Sequence, residues 1–305
     1  MISEKKALEV VAYADKHGDY EALKMFPTVS SETLNRYKRK VLEGIKRFPN
    51  ILLFDIETLR MTGRFWHMGK QRINPEQIDK NWSISCWAAK FLCSNKIMGE
   101  VVTPDEAIER SDASIIKGIW KLMDKADIII AHNAERFDIR RLNWRFLQNG
   151  LIKPSPYSVV DTLKHSRKLF ASSSHTLDFL NKQRGLATKM ETDISLWRKS
   201  EDGDSQALRY TLKYCKQDIQ CLEDRYLDIR GWITNHPNCG NFISGNDIVC
   251  PACASTNLGY TTTDYKTPAG SFTGRRCLDC GNIGREPSNN FDKDSRMKLI
   301  RPIAK

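Results

Sequence analysis

Ile51-Leu52-Leu53-Phe54-Asp55-Ile56-Glu57-Thr58 runs four apolar residues into two acids, with β-favouring side chains throughout, and so predicts a strand. Side chains alternate faces along a strand. Asp55 and Glu57 are two apart, so both carboxylates leave the sheet on one side, next to each other. Neighbouring like charges repel unless a cation lies between them, and hard oxygen donors suit Mg²⁺ or Mn²⁺. A strand that runs out into solvent, with both acids exposed in a turn, fits the same eight residues. The choice turns on whether the chain supplies further carboxylates at fitting places.

Composition narrows the setting. The 305 residues suit two domains and leave ample length for a core. Apolar content of 40% and charged content of 28% are those of a soluble globular protein. No apolar run is long enough to span a bilayer, and Ser3-Glu4-Lys5-Lys6 opens no signal peptide, so no membrane partner and a cytoplasmic location are expected. The net charge of +11 is spread: 10 basic against 7 acidic residues in 1–48, 29 against 24 in 49–239, and 9 against 6 in 240–305. A basic chain suits a polyanionic partner. Cys86, Cys93, Cys215 and Cys221 fall in segments that read as core elements, where buried thiols are common.

Residues 1–48 read as a helical module. Ala7, Leu8, Val11 and Ala14 share one face of a helix stopped by Gly18. A short helix from Tyr20 to Met25 follows, and Ser30 caps a third running to about Leu42. That third helix carries Arg36, Lys38 and Arg39, as in a helix-turn-helix that reads DNA. A helical appendage with solvated basic residues fits equally. Arg60 to Lys80 interleaves Arg64, Phe65 and Trp66 with further basic residues, which suits stacking on bases beside neutralised phosphates, or a long loop folded back on the core. Trp82–Phe91 and Ile97–Val102 predict a strand hairpin, and Pro104–Lys125 a helix. Ala126 to Ala131 is a short strand ending in His132-Asn133-Ala134-Glu135-Arg136-Phe137-Asp138, which opens a helix to Gln148. Val159 to Thr162 is another strand, His175 to Arg184 a helix, and Asp204 to Ile229 one long helix or two. In the last, Tyr214 and Asp218 lie one turn apart on one face. Strands alternating with helices predict an α/β sheet domain over 49–235.

Asp55, Glu57, Asp138, Tyr214 and Asp218 now form a set. Phe-Asp-Ile-Glu-Thr, His-Asn-x-x-x-Phe-Asp and Tyr-x-x-x-Asp, in that order, resemble the three motifs of the DEDD exonuclease superfamily in its tyrosine branch. These are ribonuclease H-like 3′–5′ exonucleases, which include the proofreading domains of DNA polymerases. The layout with its Trp66 insert is most similar to phage-encoded exonucleases related to the family-B polymerase type. The histidine branch requires His where Lys213 stands. The resemblance implies a mixed sheet flanked by helices, two Mg²⁺ or Mn²⁺ ions held by Asp55, Glu57, Asp138 and Asp218, and Tyr214 orienting the attacking water. It implies a nucleic-acid partner, 3′-ended or single-stranded DNA ahead of RNA, and the cytoplasm of a bacterial host if phage-encoded. It makes Thr58 and Leu59 contacts to the terminal nucleotide, with Leu59 a candidate wedge. Asn133 either holds substrate or caps the strand end.

Cys250-Pro-Ala-Cys253 and Cys277-Leu-Asp-Cys280 are two knuckles separated by a β-prone stretch. Two Cys-x-x-Cys pairs close one Cys₄ structural Zn²⁺ site, so 236–287 reads as a zinc ribbon that folds only with its metal. Arg275 and Arg276 in it are placed to grip nucleic acid, although a ribbon that docks protein has the same pattern. Residues 288–305 read as a polar, irregular tail. Two other functions share this sequence: a DNA-binding or recruitment protein with a vestigial nuclease core, and a structure-selective endonuclease using the same metals.

Overall fold

The computed structural model describes residues 4–34, 48–67, 69–243 and 247–300. They divide into two compact units. One comprises Pro49–Pro237 with Cys280–Asn282, the other Met1–Phe48, Asn238–Asp279 and Ile283–Lys305. At the N-terminus, α1 (Glu4–His17) ends at Gly18, whose φ of 88° is readily adopted only by glycine, and α2 (Asp19–Met25) follows. Val10, Val11, Ala14, Ala22, Val29 and Leu34 form a small core of their own. The Ser30 hydroxyl accepts from the Thr33 backbone N–H at 3.2 Å and starts a helical turn over 31–34. The rest of the expected third helix, with Arg36, Lys38 and Arg39, lies outside the described residues.

The larger unit is built on β1 (Ile51–Leu59). Its sheet also contains β4 (Ser83–Phe91), β5 (Met98–Val101), β6 (Ile128–Ala131) and β7 (Ser158–Asp161), in the order β5-β4-β1-β6-β7. β4 and β5 run antiparallel to their neighbours, while β1, β6 and β7 are parallel. The fold is thus α/β with a mixed sheet flanked by helices. The hairpin and strands appear where the residue pattern places them. Within the Arg60–Lys80 insert, Thr62–Gly63 (β2) and Ile78–Lys80 (β3) form a small separate pair.

Seven helices follow in this unit: α3 (Pro104–Glu109), α4 (Ala113–Asp124), α5 (Asp138–Gln148), α6 (Thr162–Leu169), α7 (Leu177–Arg184), α8 (Ile194–Glu201) and α9 (Ser205–Ile229). Leu52, Phe54 and Ile56 of β1 join Ile115, Ile116, Ile119, Leu142 and Phe146 of α4 and α5 in the main core. The odd-numbered residues of β1 therefore face the other layer, where α9 packs. Gly118 lets α4 approach closely: a Cβ there would meet Glu100 Oε2 at 2.2 Å and Trp87 Cζ2 at 2.7 Å.

One expectation changes here and one alternative is decided. The single helix over Pro104–Lys125 is two. Arg110 takes a left-handed φ of 60°, and Asp112, fully buried, begins the second helix while binding Arg145 Nε at 2.5 Å and the Ile84 N–H at 3.1 Å. Asp204–Ile229, left open as one helix or two, is one helix of 25 residues, capped by Asp204 through the N–H groups of Gln206 and Ala207. α6 and α8 were not read from the residue pattern. Each is a short helix begun by an aspartate cap, Asp161 and Asp193, whose side chains accept from the first N–H groups of the helix.

At the C-terminus, β8 (Leu258–Tyr260), β9 (Tyr265–Thr267) and β11 (Ile283–Asn289) each pair antiparallel with β10 (Gly270–Cys277). β11 continues past residue 287, and α10 (Lys293–Met297), capped by the Asp292 carboxylate, gives the expected irregular tail a helical turn.

Candidate metal and nucleic-acid site

Alternation along β1 delivers Asp55 and Glu57 to the α9 side of the sheet, as the eight residues predict. α9 brings Asp218 against them. Carboxylate oxygens of Asp55, Glu57 and Asp218 all lie within 4.8 Å of one another. Asp138, the first residue of α5 and 2% exposed, stands at the same end of the sheet, close enough for its charge and that of Asp55 to repel.

Electrostatics record how uncomfortable this cluster is. Burial, then the Asp218 charge, pushes Asp55 up to about 7. Burial and the Asp55 charge raise Glu57 well above the ordinary glutamate value, and the same two causes raise Asp138 against the pull of backbone N–H groups, Ile56 among them. Burial also raises Asp218, and its Oδ1 has no hydrogen-bond partner among the described residues. Four carboxylates so arranged call for positive charge.

Part of it comes from a residue the sequence reading missed. Lys189 Nζ pairs with Asp218 Oδ2 and donates to Tyr214 Oη at 3.1 Å. Burial disfavours this ammonium, but the Asp218 carboxylate outweighs it and holds Lys189 above the lysine range. Its loop is stitched down on both sides. The Lys189 N–H donates to Asp178 Oδ1 at 3.2 Å, and Gln217 Nε2 donates to the Thr188 carbonyl at 3.3 Å. No periodicity or motif marks Lys189. The only signal was the demand for a cation beside the acids. Tyr214 is 8% exposed, with Trp197 edge-on at 6.4 Å. Burial and the Asp218 charge raise its phenol, so it stays protonated at neutral pH. Cys215 sits under the acids, its Sγ 3.6 Å from Asp55 Oδ2.

The remaining motif residues hold the frame. His132, pushed down to about 4 by burial, is neutral; its Nε2–H donates to the His175 carbonyl at 3.0 Å, and Thr162 Oγ1 lies 2.9 Å from Nδ1. Asn133 takes a left-handed φ of 79°, and its N–H donates to Asp161 Oδ1 at 3.0 Å. Asn is among the few residues that tolerate this conformation, so its role in the turn accounts for it. Asp161 spends its carboxylate on the N–H groups of Asn133, Glu135, Leu163 and Lys164.

Leu59 is not where a wedge must be. Leu59 is 1% exposed and packs in the same core cluster as Phe54 and Ile56. The β1–β4 register skips Ser85 opposite Glu57 and Thr58, so the extra residue belongs to β4. Thr58 is half-buried at the shift. Trp66 is 93% exposed, and Arg64 is exposed with Asp79 3.3 Å away.

No protein family matches this chain, and no curated protein does. Among solved structures it is similar to the family B DNA polymerase from the hyperthermophilic archaeon Pyrobaculum calidifontis, at 16% identity and a TM-score of 0.44. The match covers 59% of this chain and 24% of that one, so the chain spans about a quarter of that polymerase.

In the smaller unit and at Cys280, the sulfurs of Cys250, Cys253, Cys277 and Cys280 lie within 4.8 Å of one another, with Cys253 and Cys277 3.6 Å apart. A tetrahedral ion with Zn–S bonds of about 2.3 Å needs sulfurs about 3.8 Å apart, so this donor set fits zinc. His236 and Cys239 are engaged elsewhere: His236 lies 2.7 Å from Tyr226 Oη, and Cys239 Sγ contacts the Ala252 carbonyl at 3.4 Å. Arg275 is committed within the ribbon, paired with Glu286 and stacked 3.7 Å from the Tyr260 ring centroid. Arg276 is largely exposed on β10. Among the described residues, no helix is long and apolar enough to cross a membrane.

Proposed function

We propose that this chain is a metal-dependent 3′–5′ exonuclease that hydrolyses phosphodiester bonds of nucleic acid, DNA ahead of RNA. One observation carries the reading. Three carboxylates from elements some 160 residues apart in sequence converge at one point, with Asp138 and the protonated Tyr214 beside them. The raised carboxyls and the unpartnered Asp218 Oδ1 fit a site made for divalent cations.

Two such ions, when bound, supply an activated water and offset charge on the leaving oxygen. Asp55, whose charge acts on both Glu57 and Asp138 and is itself acted on by Asp218, would be shared between the ions. Glu57 and Asp218 would hold one of them and Asp138 the other. Tyr214 keeps its proton and therefore positions the water by hydrogen bonding; it does not act as a general base. Lys189 holds Tyr214 Oη and Asp218 in register. The four cysteines hold one Zn²⁺ that stabilises the ribbon.

The test uses matched 5′-labelled DNA and RNA oligomers, single- and double-stranded, in Mg²⁺ or Mn²⁺. A ladder shortening from the 3′ end, lost in Asp55→Asn, is expected. Undiminished cleavage by Asp55→Asn sinks the reading. Cutting of a circular single strand makes the chain an endonuclease.

A further inference from the structure

A second site lies in the same unit, about 15 Å along α9 from Asp218, as ten residues of helix require. α7 and α9 and the segments after α6 and α9 enclose a cavity of about 380 Å³ there, within the range of ligand pockets. Phe170, Ser172, Arg184, Arg225, Asp228 and Trp232 line it. Trp232 is 64% exposed and meets Phe170 edge-on at 5.9 Å, which leaves an indole face open at the mouth. Arg225 is 4% exposed. It donates to Asp228 Oδ2 at 3.1 Å and Ser166 Oγ at 3.3 Å, yet its buried Nε has no partner among the described residues. Arg184 binds the other side of the same carboxylate, Nη2 to Oδ1 at 2.9 Å, and remains largely exposed. Two guanidinium groups thus share one carboxylate, and one positive charge is left over.

We infer that this cavity is a nucleotide subsite separate from the carboxylate cluster: a base stacks on Trp232, and its phosphate is met by the exposed Arg184, beside the positive charge that Arg225 leaves over. A structural role for the cluster explains Asp228, which both arginines bind. It does not explain an indole presented to solvent beside a pair of guanidinium groups that one carboxylate only half neutralises. Stacking with a cation close by is how proteins hold unstacked bases without reading their sequence. The inference rests on the nuclease reading only for the source of the nucleotide, which is either a nucleotide of the bound strand upstream of its 3′ end or a free mononucleotide.

Binding separates the sources. The full-length protein, in buffer without Mg²⁺ or Mn²⁺ so that the ribbon keeps its zinc, is titrated with fluorescein-labelled oligo(dT) and, separately, with dTMP by isothermal titration calorimetry. Trp232→Ala and Arg184→Ala are each expected to weaken the ligand that binds there about tenfold, and Trp232→Tyr to restore most of the loss. A loss confined to oligo(dT) assigns the subsite to the strand; a loss with dTMP assigns it to the free nucleotide. Photocrosslinking of 4-thio-dT oligomers to Trp232 supports the same placement even if a variant folds poorly. Wild-type affinity of Trp232→Ala for both ligands, with no crosslink to Trp232, overturns the inference. If that protein still shortens strands from the 3′ end in Mg²⁺, the nuclease reading stands without the subsite. If wild type neither binds nor cuts, both fall.

Discussion

Burial and the neighbouring Asp218 charge hold Asp55 near 7, against an ordinary 3.8. A folded-state pKa above the unfolded one means that the native chain holds the proton more tightly. The associated stability is present below about pH 4 and is lost as pH rises through about 7. Neutral, half-buried His132 and His236, both pushed down to about 4, act in the opposite sense over much of that window. The informative quantity is therefore the difference between wild type and Asp55→Asn. In EDTA, the urea midpoint of wild type should fall relative to the variant from pH 4 to pH 7, and Mn²⁺ should close the gap. A difference that stays level with pH would mean that Asp55 is not under repulsion. Turnover responds in the other direction: Asp55→Asn should lose roughly a thousandfold in kcat. Tyr214→Phe should lose about a hundredfold, with the pH profile unchanged, because a phenol that stays protonated contributes no titration. The acids themselves were legible because period-2 alternation and one helical turn say which side chains share a face. Lys189 was not, since its place depends on a loop pinned by Asp178 and Gln217.

α4 shows what a pattern of apolar residues leaves out. The periodicity of Ile115, Ile119 and Leu122 located the helix, but not the break before it. That break is made by Asp112, a fully buried acid whose partner Arg145 lies on α5. Only the tertiary pair makes Asp112 affordable in the core. Arg145→Leu leaves it uncompensated and should cost about 3–5 kcal/mol in chemical denaturation. Gly118→Ala drives a methyl into Trp87 and Glu100 and should cost about 1–3 kcal/mol, although alanine has the better helix propensity. Leu59 is a miss of the same kind: whether the last residue of a strand is covered depends on what packs against it, and nothing in Glu57-Thr58-Leu59 announces that.

At the scale of the whole chain, charge and metal offer independent checks. A net charge of +11 spread across all segments predicts binding governed by counterion release. Affinity for single strands in EDTA should fall linearly on a log–log plot against salt, with a slope of several; a flat plot would argue against phosphate contacts. The four clustered sulfurs predict one Zn²⁺ per chain by mass spectrometry or colorimetric release, and its loss in Cys277→Ser with faster hydrogen exchange across Leu258–Asn289. The Cys spacing made this centre readable, whereas the length of β11 and the α10 turn depended on pairing and capping that residue type alone does not encode.

The slip between Glu57 and Thr58 also sets where the chain can gain or lose a residue. An insertion between Ile51 and Asp55 rotates both acids into the oily layer beneath α4 and α5 and exchanges them for Phe54 and Ile56. An insertion just after Glu57 falls where the two strands are already out of step, and the ladder can absorb it. Natural length variation and engineered loops should therefore be tolerated on one side of the carboxylate pair and be lethal to it on the other, within a span of eight residues.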